Sequence, residues 1–283
     1  MIKVEKKFTI RKLETNDDMR LIQILEREVW DMDPVPTHQT FTASKNGGIL
    51  VGAFHEGKLV GYSYGFAGFK DGKSYLCSHM MGIHPDFQSS GIGRMLKEEQ
   101  RKAAKDIGYD LIQWTFDPLE SRNAYLNTTR LNGICSTYLE NCYGEMDDGL
   151  NRGLPTDRLQ IEWWISSAHV ENKWHPEGMR FVTPFRTHRS EFGHPVLEVN
   201  GDELEGDMEA YEVPIPKAFQ TIKKEEPELA LDWRLKIRGI FQALFGRGYV
   251  LIGVRKIEDV VQYYRFIPKE MVSLEKAERG EAL

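Results

Sequence analysis

The sequence has few cysteines, no long apolar run and no excess of positive charge. Three of its 283 residues are cysteines, an odd number without CxxC spacing, which fits a reducing compartment better than a disulfide framework. No stretch approaches the ~18 consecutive apolar residues of a membrane-spanning helix. The first ten residues alternate charged with apolar side chains and lack the apolar core of a signal peptide. We therefore expect a soluble, cytoplasmic protein without a membrane anchor.

Neither the charge balance nor the histidine spacing points to a nucleic-acid partner or a metal site. With 37 Lys and Arg against 43 Asp and Glu, the net charge is −6, and the basic runs are short, so we expect no nucleic-acid partner. The eight histidines are scattered. The nearest approach to a metal pattern is His188 with His194, which lacks the i, i+4 spacing of helical ligands. We expect a solvated loop there and no metal.

The chain up to about residue 170 alternates strand and helix patterns. Thr15 followed by Asp18 is typical of a helix N-cap, and it precedes an amphipathic helix. Apolar residues at helical spacing predict a second amphipathic helix over 91–107, with Gly108 at its C-terminal end. The remaining predicted elements are strands at 7–13, 49–54, 59–66, 74–83, 110–116, 134–139 and 158–166 and a helix at 121–131. This alternation predicts an α/β (α+β) layer architecture.

Beyond residue 170 the pattern changes. Residues 174–206 hold three prolines, many charges and little periodicity, which predicts an irregular connection. We therefore divide the chain into 1–170, 171–206 and 207–283. The last part is predicted to contain a strand at 210–214, helices at 217–224 and 228–245, and a hairpin over 249–255 and 260–267. This order of elements repeats that of the first 70 residues. One hypothesis is therefore that residues 207–268 are a degenerate half of the same fold. A structure in which the strand at 210–214 and the hairpin at 249–267 lie in different sheets would contradict it.

One segment carries a ligand-binding pattern. From Met80 to Arg94 an apolar strand ends at the Pro85 turn, and a loop with Gly91 and Gly93 leads into the amphipathic helix. Such a turn directs backbone N–H groups and the positive end of the helix dipole at one point, which suits a phosphate or pyrophosphate. The two glycines allow close approach of a ligand to the backbone. Neither GxxxxGK[ST] nor GxGxxG is present.

This loop resembles the acyl-CoA-binding motif of the GNAT superfamily of N-acyltransferases, [QR]xxGx[GA], which Gln88, Gly91 and Gly93 match completely. The order of predicted elements over residues 7–168 is also similar to that superfamily. The resemblance implies a mixed, twisted sheet flanked by helices and an acyl-CoA cosubstrate, acetyl-CoA or another. Segments around His79, 114–124 and 157–163 resemble a bacterial subgroup of predicted acyltransferases, some of which are associated with N-acylation, including succinylation, of amino acids.

The resemblance also implies which residues contact the cosubstrate. Backbone amides of the loop would cradle the pyrophosphate, the end of the preceding strand would pair with the pantetheine arm, and Asn123 in the next helix would touch either part. The implied contacts are Met81, Gly82, Ile83, Gln88, Ser89, Ser90, Gly91, Ile92, Gly93, Arg94 and Asn123.

Attack by an amine on a thioester requires the amine to be neutral, so a general base is expected. Many members of the superfamily carry a glutamate on the motif strand where this chain has Cys77. We take His79 as the candidate base, because it lies two residues further on the same strand face. A strand histidine bonded to a backbone carbonyl is the alternative. Asp117 and Glu162 are acidic candidates, although Asp117 precedes a proline and equally suits a turn.

The departing thiolate has no obvious proton donor. The tyrosine that the superfamily usually supplies corresponds to position 129, which is Thr. Either the thiolate leaves unassisted, which a thiol pKa of about 8.5 tolerates, or a hydroxyl such as Tyr143, Tyr125 or Tyr138 serves. We expect transfer of an acetyl or other short acyl group to a primary amine of a small molecule, with succinyl and amino acids as candidates. A CoA-binding sensor without catalysis is the alternative. The C-terminal part would shape the acceptor site or a homodimer interface.

Overall fold

The computed structural model describes residues 7–30, 33–145, 152–201, 204 and 209–277. The chain divides into two compact units, Met1–Trp114 and Thr115–Leu283, and the boundary predicted near residue 170 lies inside the second unit. No helix within the described ranges has both the length and the apolarity that crossing a membrane requires.

The first unit is a sheet with helices between its strands. Its elements are β1 (Thr9–Lys12), α1 (Asn16–Val29), α2 (Thr37–Lys45), β2 (Ile49–His55), β3 (Lys58–Lys70), β4 (Lys73–Ile83), a 3-10 turn (Pro85–Phe87), α3 (Ile92–Asp106) and β5 (Leu111–Phe116), whose last two residues fall beyond the unit boundary. Strands β1 to β4 are antiparallel and adjacent in chain order, and β5 joins β4 in parallel.

Helix α1 begins where the sequence predicts. The Thr15 hydroxyl accepts a hydrogen bond from the Asp18 N–H at 3.1 Å, and the Asp18 carboxylate accepts one from the Thr15 N–H at 3.0 Å. This reciprocal capping box satisfies two N–H groups that a helix start otherwise leaves open. The apolar face of the helix then packs on β3, where Tyr62 and Tyr64 are fully buried. One buried apolar cluster of the first unit therefore lies between α1 and β3.

The second unit holds an antiparallel sheet in the order β7–β6–β11–β12–β10. Its elements are α4 (Ser121–Ala124), a π-helical continuation (Tyr125–Arg130), β6 (Ile134–Leu139), β7 (Arg158–Trp164), α5 (Ala168–Glu171), β8 (Arg186–Arg189), β9 (Pro195–Glu198), β10 (Tyr211–Pro216), α6 (Phe219–Glu225), α7 (Pro227–Gly246), β11 (Tyr249–Arg255), β12 (Val261–Pro268) and a last 3-10 turn (Lys269–Met271). Helix α7 buries Trp233, Ile237 and Phe241, as its spacing predicts.

The prediction of an irregular connection over 171–206 is wrong in part. Strands β8 and β9 form a separate two-stranded hairpin. His188 lies in β8, is 55% exposed and has its ring 2.8 Å from Glu198. His194 lies in the loop between β8 and β9, with its ring 2.8 Å from Glu225. The predicted loop is therefore present over 190–194, and both histidines contact carboxylates. Four-residue strands are too short to show a periodicity in the sequence.

The C-terminal strands share one sheet but differ in order from the first half of the chain. Strand β10 pairs with β12, whereas its counterpart by element order, β1, pairs with β2. The extension therefore repeats the element order of the first 70 residues without repeating their strand order.

Candidate functional site

The loop between β4 and α3 has an unusual backbone. Ser89 has a φ of +62° and Gly91 a φ of +90°, so the chain passes twice through the left-handed region within three residues. A Cβ placed at Gly91 would meet no atom within 4 Å, and residues 88–91 are exposed. The open face at Gly91 leaves room for a ligand to approach the backbone.

Helix α3 presents its N-terminus at the same point. Its helical hydrogen bonding begins with Arg94 and Met95, whose N–H groups both donate to the Gly91 carbonyl at 3.1 and 3.2 Å. The N–H groups of Ile92 and Gly93 precede these bonds, and such groups at a helix start bind anions. The Gln88 N–H donates to the Pro85 carbonyl at 3.2 Å, so this amide is engaged within the turn. The open space and the helix start together fit a pyrophosphate.

Strands β4 and β5 part beside this loop. Their parallel pairing covers only Leu76 with Ile112 and Cys77 with Gln113. Further along, β4 pairs with β3 alone as far as the two described strands show, so the edge of Met81, Gly82 and Ile83 is left open toward β5. An open strand edge can pair with the amide groups of an extended ligand. We call this divergence of β4 and β5 the fork, and its closed end lies at Cys77.

His79 occupies a β-bulge next to the closed end of the fork. Tyr64 pairs with Met80 and Gly65 pairs with Ser78, so His79 is the extra residue on β4. Its ring makes edge contacts with Phe66 at 5.5 Å and Tyr64 at 5.9 Å between centroids. Phe66 pairs with Cys77, which agrees with the predicted shared face. The bulge thus directs an imidazole into an aromatic environment.

The surroundings of His79 favour its neutral form. Partial burial lowers the pKa of His79 below its ordinary value of 6.5, because desolvation disfavours the charged form. Its ring nitrogens have no hydrogen-bond partner among the described residues. The alternative of a strand histidine held by a backbone carbonyl is therefore not what the structure shows.

Lys97 is a site residue that the sequence reasoning missed. Its side chain reaches the closed end of the fork, where Nζ donates to the Ser78 hydroxyl at 2.8 Å and lies 3.7 Å from the ring centroid of Trp114. Lys97 is 2% exposed, and burial lowers its pKa to about 7. A signal was present, since Lys97 follows the buried Gly93 by four residues and therefore lies on the same helix face.

Asp117 is held in a structural ion pair. Its carboxylate accepts hydrogen bonds from the Leu119 N–H at 2.8 Å and from two guanidinium nitrogens of Arg234 at 3.0 and 2.5 Å. The Arg234 side chain is 2% exposed. Of the two roles considered for Asp117, these contacts support the turn, and they leave no oxygen without a partner for base catalysis.

The tyrosine candidates lie in the second unit and differ in availability. Tyr143 follows β6 in a turn, is 54% exposed and has its hydroxyl 2.7 Å from that of Thr115, so it is not a core residue. Tyr138 donates to Asp157 at 2.7 Å, and burial together with that carboxylate raises the Tyr138 pKa far above its ordinary value. Tyr138 is therefore a poor proton donor to a thiolate.

The other predicted positions of the second unit are also accounted for. Glu162 accepts hydrogen bonds from the Ser136 hydroxyl and, at 3.3 Å, from the Trp164 indole. Thr129, which stands at the usual tyrosine position, accepts a hydrogen bond from the Val254 N–H at 2.8 Å. Asn123 is exposed in α4, and its contact with a cosubstrate stays a prediction. Among the described residues, no three His, Cys, Asp or Glu side chains are grouped to hold a metal ion.

Residues 16–126 match the model of the acetyltransferase (GNAT) family. No curated protein matches the chain. Among solved structures, the chain is similar to the Escherichia coli ribosomal-protein-S18-alanine N-acetyltransferase, with 18% identity and a TM-score of 0.45 over 62% of this chain and 100% of that one. An N-acetyltransferase from Staphylococcus aureus shares 15% identity, with a TM-score of 0.45 over 56% and 99% of the two chains. YncA from Salmonella typhimurium, solved with its cofactor acetyl-CoA, shares 16% identity, with a TM-score of 0.46 over 56% and 94%.

Proposed function

We propose that this protein is an N-acyltransferase that moves an acetyl or other short acyl group from acyl-CoA to a primary amine of a small molecule by direct attack. Succinyl is one candidate acyl group and an amino acid one candidate acceptor. The observation that carries the proposal is the adjacency of an anion-binding helix start at Gly91 and an open β4 edge at Met81 to Ile83.

Binding of the cosubstrate would use backbone groups for the most part. The N–H groups of Ile92 and Gly93 and the dipole of α3 would hold the pyrophosphate, with Ser89, Ser90 and Arg94 beside them. The open edge from Met81 to Ile83 would pair with the amides of the pantetheine arm. Oriented amides suit a chain with a net charge of −6, since they supply local positive potential without a basic surface.

His79 would act as the general base. Its lowered pKa keeps the imidazole neutral at pH 7, so the ring can accept a proton from the attacking amine as the C–N bond forms. The carbonyl carbon then loses the sulfur, which departs with the electron pair of the C–S bond. Holding amine and thioester in contact supplies most of the acceleration in such a reaction.

The experiment that tests the proposal measures binding and turnover separately. The full chain is titrated with CoA by calorimetry and then assayed for thiol release with acetyl-, succinyl- and longer acyl-CoA against a panel of amines. We expect CoA binding and thiol release that depends on at least one amine. Binding without turnover under every condition would favour the sensor, and absence of CoA binding would overturn both readings.

The role of His79 makes a sharper prediction. In His79→Gln, kcat/KM should fall by about 10²-fold. The unaltered protein should lose activity below pH 6.5, because the His79 pKa is lowered, and this loss should be absent in the variant. The matched control is His38→Gln, which removes an exposed histidine from α2 and should leave the profile unchanged. An unaltered pH profile in His79→Gln would show that another group is the base.

A further inference from the structure

Lys97 is a buried cation without a carboxylate partner among the described residues. Its contacts there are the Ser78 hydroxyl and the Trp114 ring, and Ser78 in turn donates to the Gln100 side chain at 2.8 Å. A buried ammonium group that is not paired with an anion is costly. Such a group is well placed to act on an anion that arrives later, as a substrate or during a reaction.

The position of Lys97 relative to the fork indicates which anion this is. Ser78 directly follows Cys77, the last β4 residue that pairs with β5, and Trp114 directly follows Gln113, its partner. The ammonium of Lys97 therefore lies at the closed end of the fork, on the α3 side of the sheet. Gly93 at the phosphate end and Lys97 are four residues apart, which is about 6 Å along the helix axis.

We propose that Lys97 is the catalytic acid that protonates the departing CoA sulfur, an inference that rests on the acyltransfer function proposed above. An arm anchored at the start of α3 and paired along β4 from Ile83 toward Ser78 must end where β5 closes the edge. The reactive sulfur would then meet the Lys97 ammonium at that end. Lys97 thereby replaces the proton donor that the Thr129 position lacks.

The proton balance of this step is complete. As the amine nitrogen bonds to the carbonyl carbon, the C–S bond breaks and the sulfur keeps the electron pair. Lys97 gives one ammonium proton to the sulfur, which yields a neutral thiol and a neutral lysine, while His79 takes one proton from the amine. Solvent then returns a proton to Lys97 and removes one from His79.

The acidity of Lys97 suits this role. Burial lowers its pKa to about 7, an effect that the nearby Cys77 thiol partly opposes. Cys77 is the titratable group on β4 that interacts with Lys97, and burial raises the pKa of that thiol, which keeps it protonated. A lysine with a pKa of about 7 transfers its proton favourably to a thiolate whose conjugate acid has a pKa of about 8.5.

The test measures the pH dependence of thiol release with the acyl-CoA and amine that give turnover in the panel above, beside CoA binding by calorimetry. In the unaltered protein, kcat should decline above about pH 7, because Lys97 loses the proton that it donates. In Lys97→Met, kcat should fall at least about tenfold and that decline should disappear. Lys97→Arg keeps the positive charge but holds its proton, so it should not restore the rate.

Two controls separate the possible failures. Lys102→Met removes an exposed lysine from the same helix and should keep the decline of kcat above pH 7, and CoA should bind all variants alike. An apolar side chain of similar volume in place of a buried charge is tolerated in many proteins, so Lys97→Met should fold. If the unaltered protein binds no CoA or releases no thiol with any amine, the proposed function fails. If it turns over but Lys97→Met keeps the same rate and the same pH profile, the role of Lys97 is overturned while the function stands.

Discussion

At the scale of single residues, the partners of a buried charge distinguish structural from chemical roles. Asp117 and Lys97 are both charged and largely removed from solvent. Asp117 has a bidentate guanidinium partner and a backbone N–H, whereas Lys97 has a hydroxyl and an aromatic ring. The Asp117 carboxylate holds Arg234 in place, whereas the Lys97 ammonium has no anionic partner among the described residues. This contrast assigns stability to Asp117 and chemistry to Lys97.

Replacement of Asp117 should therefore destabilise the protein. In Asp117→Asn the buried Arg234 loses its anionic partner, and we expect the free energy of unfolding to fall by about 3 kcal/mol, measured by urea denaturation. Asp232→Asn is the matched control on α7, because Asp232 pairs with Lys236 at the surface and its loss should cost at most about 0.5 kcal/mol. The double variant Asp117→Leu with Arg234→Met should recover most of the stability. A large loss of activity with stability unchanged would return Asp117 to the list of bases.

At the scale of elements, the sequence predicts those features of helices and loops that depend on residues close together along the chain. The capping box at Thr15 and Asp18 and the loop ending at Gly91 follow from local spacing, and both are present in the structure. The short strands β8 and β9 were missed because their pairing, not their periodicity, defines them. Local patterns therefore locate the proposed phosphate end of the site.

The other end of the site could not be predicted in the same way. The bulge at His79 depends on the register of β4 against β3, and the fork depends on where β5 stops pairing with β4. Both are long-range properties that no local spacing encodes. The contacts of Lys97 could not be predicted from local spacing either. The helix pattern of α3 indicates that Lys97 is buried, but it does not show that Ser78 and Trp114 are its partners.

The loop itself provides the test at this scale. In Gly91→Ala the added methyl group forces a residue with a φ of +90° to adopt a costly conformation, at about 1–2 kcal/mol, and occupies the space where the ligand approaches. Gly72→Ala in the β3–β4 turn is the matched control, since Gly72 also has a positive φ and open space around its Cβ position. Both variants should lose similar stability in urea, and only Gly91→Ala should bind CoA at least about tenfold more weakly, which is 1.4 kcal/mol. Equal CoA affinity in the two variants would remove Gly91 from the binding site.

At the scale of the whole molecule, the negative net charge is compatible with an anionic ligand only if the protein holds that ligand through short-range contacts. The net charge of −6 repels a polyanion at long range, but that repulsion is screened within about 8 Å at physiological salt. Oriented amides at the start of α3 act at hydrogen-bond distance, where screening is ineffective. A site built from backbone groups thus needs no basic surface around it.

The free energy of unfolding should depend on pH because of a buried histidine, His169, which is far in sequence from the loop at Gly91. His169 is 2% exposed, its ring nitrogens have no partner among the described residues, and its ring lies 5.5 Å from that of Trp174. Burial, with a smaller effect of His175, lowers the pKa of His169 to about 4. A lowered pKa means that the unfolded chain takes up a proton near pH 6.5 while the folded chain does not. The free energy of unfolding should therefore fall as the pH decreases from 7 toward 4.

The contribution of His169 to the pH dependence of the free energy of unfolding should be large enough to measure. One proton taken up by the unfolded chain alone costs about 1.4 kcal/mol for each pH unit below 6.5, so His169 should account for about 2 kcal/mol between pH 7 and 5. His79 adds a loss in the same direction because its pKa is also lowered, whereas Glu26 and Glu120, whose pKa values burial raises, act in the opposite direction. The share of His169 is therefore the difference between the unaltered protein and a variant without that ring. Urea denaturation of His169→Leu should show a correspondingly shallower dependence on pH than the unaltered protein, while His38→Leu on the exposed face of α2 should not differ from it. The same slope in His169→Leu and in the unaltered protein would mean that the His169 ring is protonated, or hydrated, in the folded state.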